Sequence, residues 1–294
     1  MGTVCLKPNP SRRFHWVSAL EPEAAPALEA LQRQMNDFYS NAKAYYDDIE
    51  FTSTNWTSDL VYLWIAKAAQ TASRILEIGC GRANILSHYP DLVPRYTGVD
   101  FSSELIEENR HRYQGAKFFE LRDARRLNLP STTFDLVISV FVLEHCVFPH
   151  MALNEWARML VKGGRLIILA PDFLGHCRMT SQRIGFSVGS GREKLARGQF
   201  SDAVVTAFDT RVRLPVKATL CRIEASLKPQ FYINLAPTCF DDPFQPDVDA
   251  VYVTYQPEIK RWLKRVMLFN SINSDLAEFV RQNRLILLDG RKMR

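Results

Sequence analysis

The stretch Arg74-Ile75-Leu76-Glu77-Ile78-Gly79-Cys80-Gly81 decides how this chain is read. Ile75, Leu76 and Ile78 make a short apolar run of the kind a parallel sheet covers on both faces. It breaks at once into glycine. Gly79 and Gly81 lack a Cβ, so backbone can pass close to a ligand there, and Asn84 to Tyr89 can open a helix whose free N–H groups face the same ligand. A nucleotide-like molecule suits such a bend. A dinucleotide fingerprint would place a third Gly or Ala where this chain has Asn84, and it has no use for an acid at Glu77. A carboxylate facing the pocket repels a pyrophosphate and attracts an ammonium or a sulfonium.

Working outward, Tyr96 to Val99 is a second strand with Asp100 at its end, placed to accept both hydroxyls of a ribose or to cap the helix that starts near Ser102. Lys117 to Leu121 is a third strand, followed by Asp123-Ala124, positioned for an adenine amino group. Phe134 to His145 is a fourth strand running into a polar turn. A helix from Met151 to Leu160, the turn Lys162-Gly163-Gly164 and a strand from Arg165 to Ala170 close the pattern. Strand and helix alternate, which dictates right-handed crossovers and a mostly parallel sheet with ligand beyond the carboxyl ends of the strands.

The run Ile75 to Pro171 resembles the class I S-adenosylmethionine-dependent methyltransferases, in particular the small-molecule subgroup that includes ubiquinone-biosynthesis enzymes. L-E-I-G-C-G, G-V-D-F-S, R-D-A, F-D-L-V-I-S-V-F-V-L-E-H and L-V-K-G-G-R-L-I-I carry the resemblance, in the right order. Ala83 stands where that family often has a further glycine. The resemblance implies an α/β, Rossmann-like, mostly parallel seven-stranded sheet with helices on both faces and S-adenosyl-L-methionine as cofactor. It implies that Glu77 and the backbone of Gly79, Cys80 and Gly81 hold the methionine end, Asp100 the ribose, and Phe101, Asp123 and Ala124 the adenine, with Asn84, Ser102, Val140 and Phe141 also at the cofactor.

Residues 1–26 show no sustained period and read as a loose arm whose Phe14 and Trp16 can dock. Residues 27–70 read as a helical cap, with one helix from Ala27 to Tyr46 and another from Ser58 to Ala69. Tyr45, Tyr46 and Trp56 are lid candidates there. The core spans 71–171. Residues 172–249 form a long insertion after the fifth strand, partly helical between Arg192 and Arg222 and expected over the pocket mouth. Its basic excess is either a solvated face or a means of recognising an anionic substrate through Arg178, Arg183, Arg192, Arg211 or Arg213. Residues 250–294 return to the core as a strand Ala250 to Thr254, a helix Pro257 to Phe269 and a strand Arg284 to Leu288.

His145 is the candidate general base, because imidazole titrates near neutrality and follows the fourth strand at the pocket rim, with Glu144 beside it. A net charge of +5 over 294 residues does not announce a nucleic-acid binder. After the fourth strand, Ser139-Val140-Phe141-Val142 stands where amino-group DNA methyltransferases carry an aromatic-plus-proline motif. No apolar run reaches membrane-span length, the start lacks a signal-peptide core, and Leu6 breaks a myristoylation motif, so a cytoplasmic protein without a membrane partner is expected. Six cysteines without a C-x-x-C pair indicate neither zinc nor a disulfide framework. The expected activity is methyl transfer to an oxygen or nitrogen of a small molecule. The competing readings are a sugar or nucleic-acid methyltransferase, a nicotinamide-dependent oxidoreductase and a non-catalytic cofactor-binding protein.

Overall fold

The computed structural model describes residues 12–41, 56–187, 189–238 and 247–293. In chain order the first elements are β1 (Trp16–Ser18), α1 (Ala25–Asn41), α2 (Leu60–Thr71), β2 (Ile75–Ile78), α3 (Asn84–His88), β3 (Tyr96–Asp100), α4 (Ser103–Arg112) and β4 (Lys117–Glu120). Then come β5 (Phe134–Val140), α5 (Pro149–Met159), β6 (Leu160–Pro171), α6 (Gly191–Ala196), α7 (Phe200–Phe208) and α8 (Leu214–Leu227). The chain closes with β7 (Tyr232–Asn234), α9 (Gln256–Leu263), β8 (Met267–Phe269), α10 (Ser274–Gln282) and β9 (Leu285–Lys292).

Seven strands form one sheet in the order β4-β3-β2-β5-β6-β9-β8. β2 runs parallel to both β3 and β5, and β9 runs antiparallel to β6 and β8. This is the expected Rossmann-like sheet. The strand order reverses at β2, so its carboxyl end opens onto the crevice where ligands of such sheets bind. Side-chain alternation explains why helices cover both faces. Leu76, Ile78, Val137 and Ile168 enter one apolar cluster with α1 and α5, whereas Ile75, Leu136, Ile138 and Ile167 enter another with α2 and α10. Each fully buried Leu or Ile contributes about 1.5–3 kcal/mol, so neither cover can be shed lightly.

Four readings of the sequence change. Residues 1–26 are not loose from Arg12 on: β1 pairs antiparallel with β7, Trp16 is buried, and Ser18 Oγ donates to the Gln230 carbonyl 212 residues away. A three-residue strand with so distant a partner leaves no period to read. Ala250 to Thr254 is not a strand but a segment with one bridge, Ile233 to Tyr252. The helix expected to Phe269 stops at Leu263, and Met267–Phe269 is a strand at the sheet edge, because a short apolar run fits either period. In the insertion, α8 packs beside β1 and β7 through a third cluster holding Trp16, Phe173, Leu214, Ala218 and Tyr232. Among the described residues of 172–249, Arg178 and Asp247 line the central cavity and α6, α7 and α8 do not. No helix among the described residues is long and apolar enough to cross a membrane.

Candidate active site

The bend after β2 is built from left-handed backbone. Gly79 (φ +66°) and Gly81 (φ +49°) take it without penalty, and Ala83 (φ 51°) takes it at the start of α3. Gly79 has a second constraint, since a Cβ there would lie 2.2 Å from Val142 Cγ2. The bend is tied down from below: the N–H groups of Gly79 and Cys80 donate to the Val99 carbonyl at 2.8 and 3.0 Å. Asn109 Nδ2 donates to the Gly81 carbonyl at 2.7 Å. Asp100 accepts from the Gly81 N–H at 2.9 Å and from the Ser102 N–H at 3.0 Å.

This bend forms one wall of a cavity of about 450 Å³. Glu77 lines it, 5% exposed, with its carboxylate accepting a hydrogen bond from the Tyr96 hydroxyl. Burial raises the Glu77 carboxyl to about 7, the Tyr96 hydrogen bond opposes that rise, and the charge of Asp100 adds to it. A carboxylate so poorly solvated gains most from a cationic neighbour. Phe141, at the end of β5, sits at φ +54° with its N–H donating to the Leu169 carbonyl at 2.8 Å. For a bulky residue this backbone stores about 1–2 kcal/mol of strain, the kind of outlier found at functional sites.

The opposite wall gathers acids around an imidazole. His145 lies in the one-turn helix Leu143–His145 after β5, with Nδ1 3.2 Å from Asp249 Oδ2 and Nε2 3.9 Å from Glu144 Oε1. The first approach lacks hydrogen-bond alignment. The Tyr39 hydroxyl donates to the same Asp249 oxygen at 2.6 Å, and the Tyr39 ring meets His145 edge-on and stacks on Phe101. Glu144 is fully buried and, among the described residues, neither carboxylate oxygen has a hydrogen-bond partner, while its backbone carbonyl accepts from the N–H groups of Val251 and Tyr252 at 2.8 Å. Burial, then the charges of Asp247 and Asp249, hold the Glu144 carboxyl well above the ordinary carboxylate range. Burial likewise raises Asp247, against the pull of His145 and of Arg178, which lies 3.2 Å from it. The thiols of Cys80 and Cys146 are pushed up by burial and act as small apolar groups.

Of the residues singled out from sequence, Glu77, Gly79, Cys80, Gly81 and Asn84 reach this cavity from the bend. Asp100, Phe101, Ala124, Val140 and Phe141 reach it from the strand ends, and Trp56, Glu144, His145 and Arg178 from the cap and the far wall. Six residues do not. Ser102 is spent on capping α4, its hydroxyl accepting from the Leu105 N–H. Asp123 is held by Arg125, whose Nε lies 2.9 Å from both carboxylate oxygens, and faces a separate surface hollow. Arg183 donates to the Phe186 carbonyl away from the cavity. Arg192, Arg211 and Arg213 also stand off it, Arg213 being bound to Asp209. Tyr45 and Tyr46 lie outside the described residues. Tyr39, Tyr96, Asn109, Asp247 and Asp249 escaped the sequence reading. Nothing in their local sequence flags them.

Sheet order, glycine bend and the acids at the ends of β2 and β3 together define the class I S-adenosylmethionine-dependent methyltransferase domain. Residues 76–168 match the family described as "Methyltransferase domain", and this part of the chain is such a domain. The phosphatidylethanolamine N-methyltransferase of Cereibacter sphaeroides is 34% identical over 101 residues, 33% of this chain and 49% of its own. The malonyl-[acyl-carrier protein] O-methyltransferase of Enterobacter lignolyticus is 33% identical over 118 residues, 40% of this chain and 47% of its own. This chain thus matches about half the length of these curated relatives. Among solved structures, PH0226 protein from Pyrococcus horikoshii aligns with a TM-score of 0.47 at 15% identity, over 86% of this chain and 92% of its own.

Proposed function

We propose that this protein is an S-adenosylmethionine-dependent methyltransferase that alkylates an oxygen or nitrogen of a small-molecule acceptor. The observation that carries the reading is the Glu77 carboxylate, buried in the cavity wall beside a bare-backbone bend and lacking any cationic partner among the described residues. When bound, the sulfonium supplies a methyl group already activated for in-line displacement. The chain's own part is to bind, orient and keep water out. Glu77 and the Gly79–Gly81 backbone hold the aminoacid end, Asp100 accepts from the ribose, and Phe101, backed by Tyr39, gives the base an aromatic face. Ala124 takes the place at the adenine that Asp123, engaged by Arg125, leaves.

His145 is the base in this reading. A proton taken from the acceptor at Nε2 leaves an imidazolium between Asp249 and Glu144, whose negative or hydrogen-bonding oxygens stabilise it. The curated relatives include by name both an N- and an O-methyltransferase, which supports keeping both nucleophiles.

Calorimetry with S-adenosylmethionine and with NAD tests the reading. Binding of the first is expected, weakened roughly tenfold or more in Glu77→Gln and Asp100→Asn, as befits charge-assisted contacts. Tight NAD binding with no S-adenosylmethionine heat overturns it, as does unchanged affinity in both variants. Release of S-adenosylhomocysteine across a panel of phenols, carboxylates and amines then separates an enzyme from a binding protein. His145→Ala is expected to cut hydroxyl methylation by about 10²–10⁴ while leaving cofactor affinity intact.

A further inference from the structure

The insertion presents its large apolar side chains outward. On α7, Phe200, Val204 and Phe208 are 68%, 68% and 51% exposed. On α8, Val216, Leu220, Ile223 and Leu227 follow at spacings of four, three and four, and Leu227 is 82% exposed. The π turn Asp209–Arg213 between the helices carries Val212 and takes up the phase drift of a four-residue repeat, so a single stripe continues from one helix to the next. It is roughly 40 Å long at the helical rise. The inward face is made mostly of small groups, Ala203, Thr206, Ala218, Cys221 and Ala225, with Leu214 as its one buried large apolar side chain. A helix pair that hides alanines and displays phenylalanine and leucine has its partner outside the fold.

Charge selects that partner. From Phe200 to Lys228, Arg211 and Lys228 are exposed and Lys217 and Arg222 half-buried, against the single exposed acid Glu224, while the exposed Arg197 before α7 is balanced by the exposed Glu193. The other two acids, Asp202 and Asp209, are buried on Lys194, Arg12 and Arg213. In a self-paired dimer the same cations would face each other across the two-fold axis. An anionic lipid surface supplies the opposite sign and a flat apolar layer for a long, straight ridge. We propose that the face from Phe200 to Leu227 docks this protein on an anionic membrane, lying in the interface rather than crossing it. Such a helix is neither long nor apolar enough to span a bilayer, which is why run length alone gives no membrane partner.

Sedimentation of the full chain with vesicles tests this. Vesicles of phosphatidylcholine mixed with phosphatidylserine are expected to bind it at least about tenfold better than phosphatidylcholine alone at low ionic strength, with the difference shrinking as salt is added. Val216→Asp with Leu220→Asp is expected to abolish binding, and Arg211→Glu with Lys217→Glu to remove the preference for phosphatidylserine. Circular dichroism and calorimetric cofactor binding should match wild type in both double variants. If the apolar double variant fails to fold, the charge-reversed one decides. Failure of the wild type to bind either vesicle overturns the proposal and leaves a protein partner as occupant. A dimer by light scattering that Leu220→Asp converts to monomer also overturns it.

Discussion

At the scale of single residues, the site rests on a carboxyl held where solvent would not hold it. Glu77 is neutral over more of the pH range than an ordinary glutamate, and a sulfonium in the cavity favours its ionised form. Affinity for S-adenosylmethionine should therefore rise with pH, by up to tenfold per unit, and level off above about 7. Tyr96→Phe removes the donor that keeps the carboxyl from rising further, so calorimetry across pH should show the plateau moved upward. A pH-independent affinity would contradict this. The same group shapes stability with the opposite sign. Its folded value lies above its unfolded one, so its contribution is complete below about 4.5 and is lost as pH rises through about 7. Glu77→Gln stays neutral. The ligand-free variant should be more stable than wild type by about 3 kcal/mol at most above pH 7 and no different near pH 4, measured by denaturant titration. Gly79→Ala should cost about 2–3 kcal/mol and abolish cofactor binding, because it meets both a positive φ and Val142.

At the scale of elements, α1 and the segment before α9 complete a site that the core strands only begin. The hydroxyl of Tyr39 on α1 is the donor to buried Asp249, so Tyr39→Phe should lower stability by about 1–3 kcal/mol. It should also reduce methyl transfer more than cofactor affinity, since Asp249 adjoins His145 and not the glycine bend. Arg12, just before β1, is bound to Asp209 between α7 and α8, which connects the start of the chain to the insertion. Hydrogen bonds from Arg12 and Arg213 outweigh burial and lower the Asp209 carboxyl to about 2. Its contribution is present above the ordinary carboxylate range and lost as pH falls toward 2. Arg12→Ala should lower the melting temperature at neutral pH and make the protein more sensitive to acid. An identical acid transition in both proteins would show that the contact adds nothing.

At the scale of the whole molecule, ligand and fold are linked by mass action. S-adenosylmethionine at about a hundred times its dissociation constant should stabilise the protein by about 2.7 kcal/mol, seen as a melting shift of a few degrees that NAD does not reproduce. The wall proposed to hold the cofactor was legible because it is local: Glu77, Gly79, Gly81 and Asp100 come from two adjacent strand ends, and each is marked by residue type and spacing. Ser102 and Asp123 sat within the same motifs, yet neighbours claimed them, Leu105 through the helix cap and Arg125 through an ion pair. Of the opposite wall only Glu144 and His145, adjacent after the fourth strand, were legible; Tyr39 and Asp249 meet there across 210 residues of chain, and no spacing rule spans that gap.

Sequence by itself determined the alternation of strand and helix from Ile75 to Pro171, and with it the sheet, the bend and the sign of charge at the bend, because those depend on neighbours within a few residues. Only the tertiary structure decided which acids surround His145, that the first strand pairs with the seventh, and that the insertion turns its large apolar side chains away from the core. These are set by which surfaces remain uncovered once the sheet has taken its helices, a property of the packed whole and not of any window of residues.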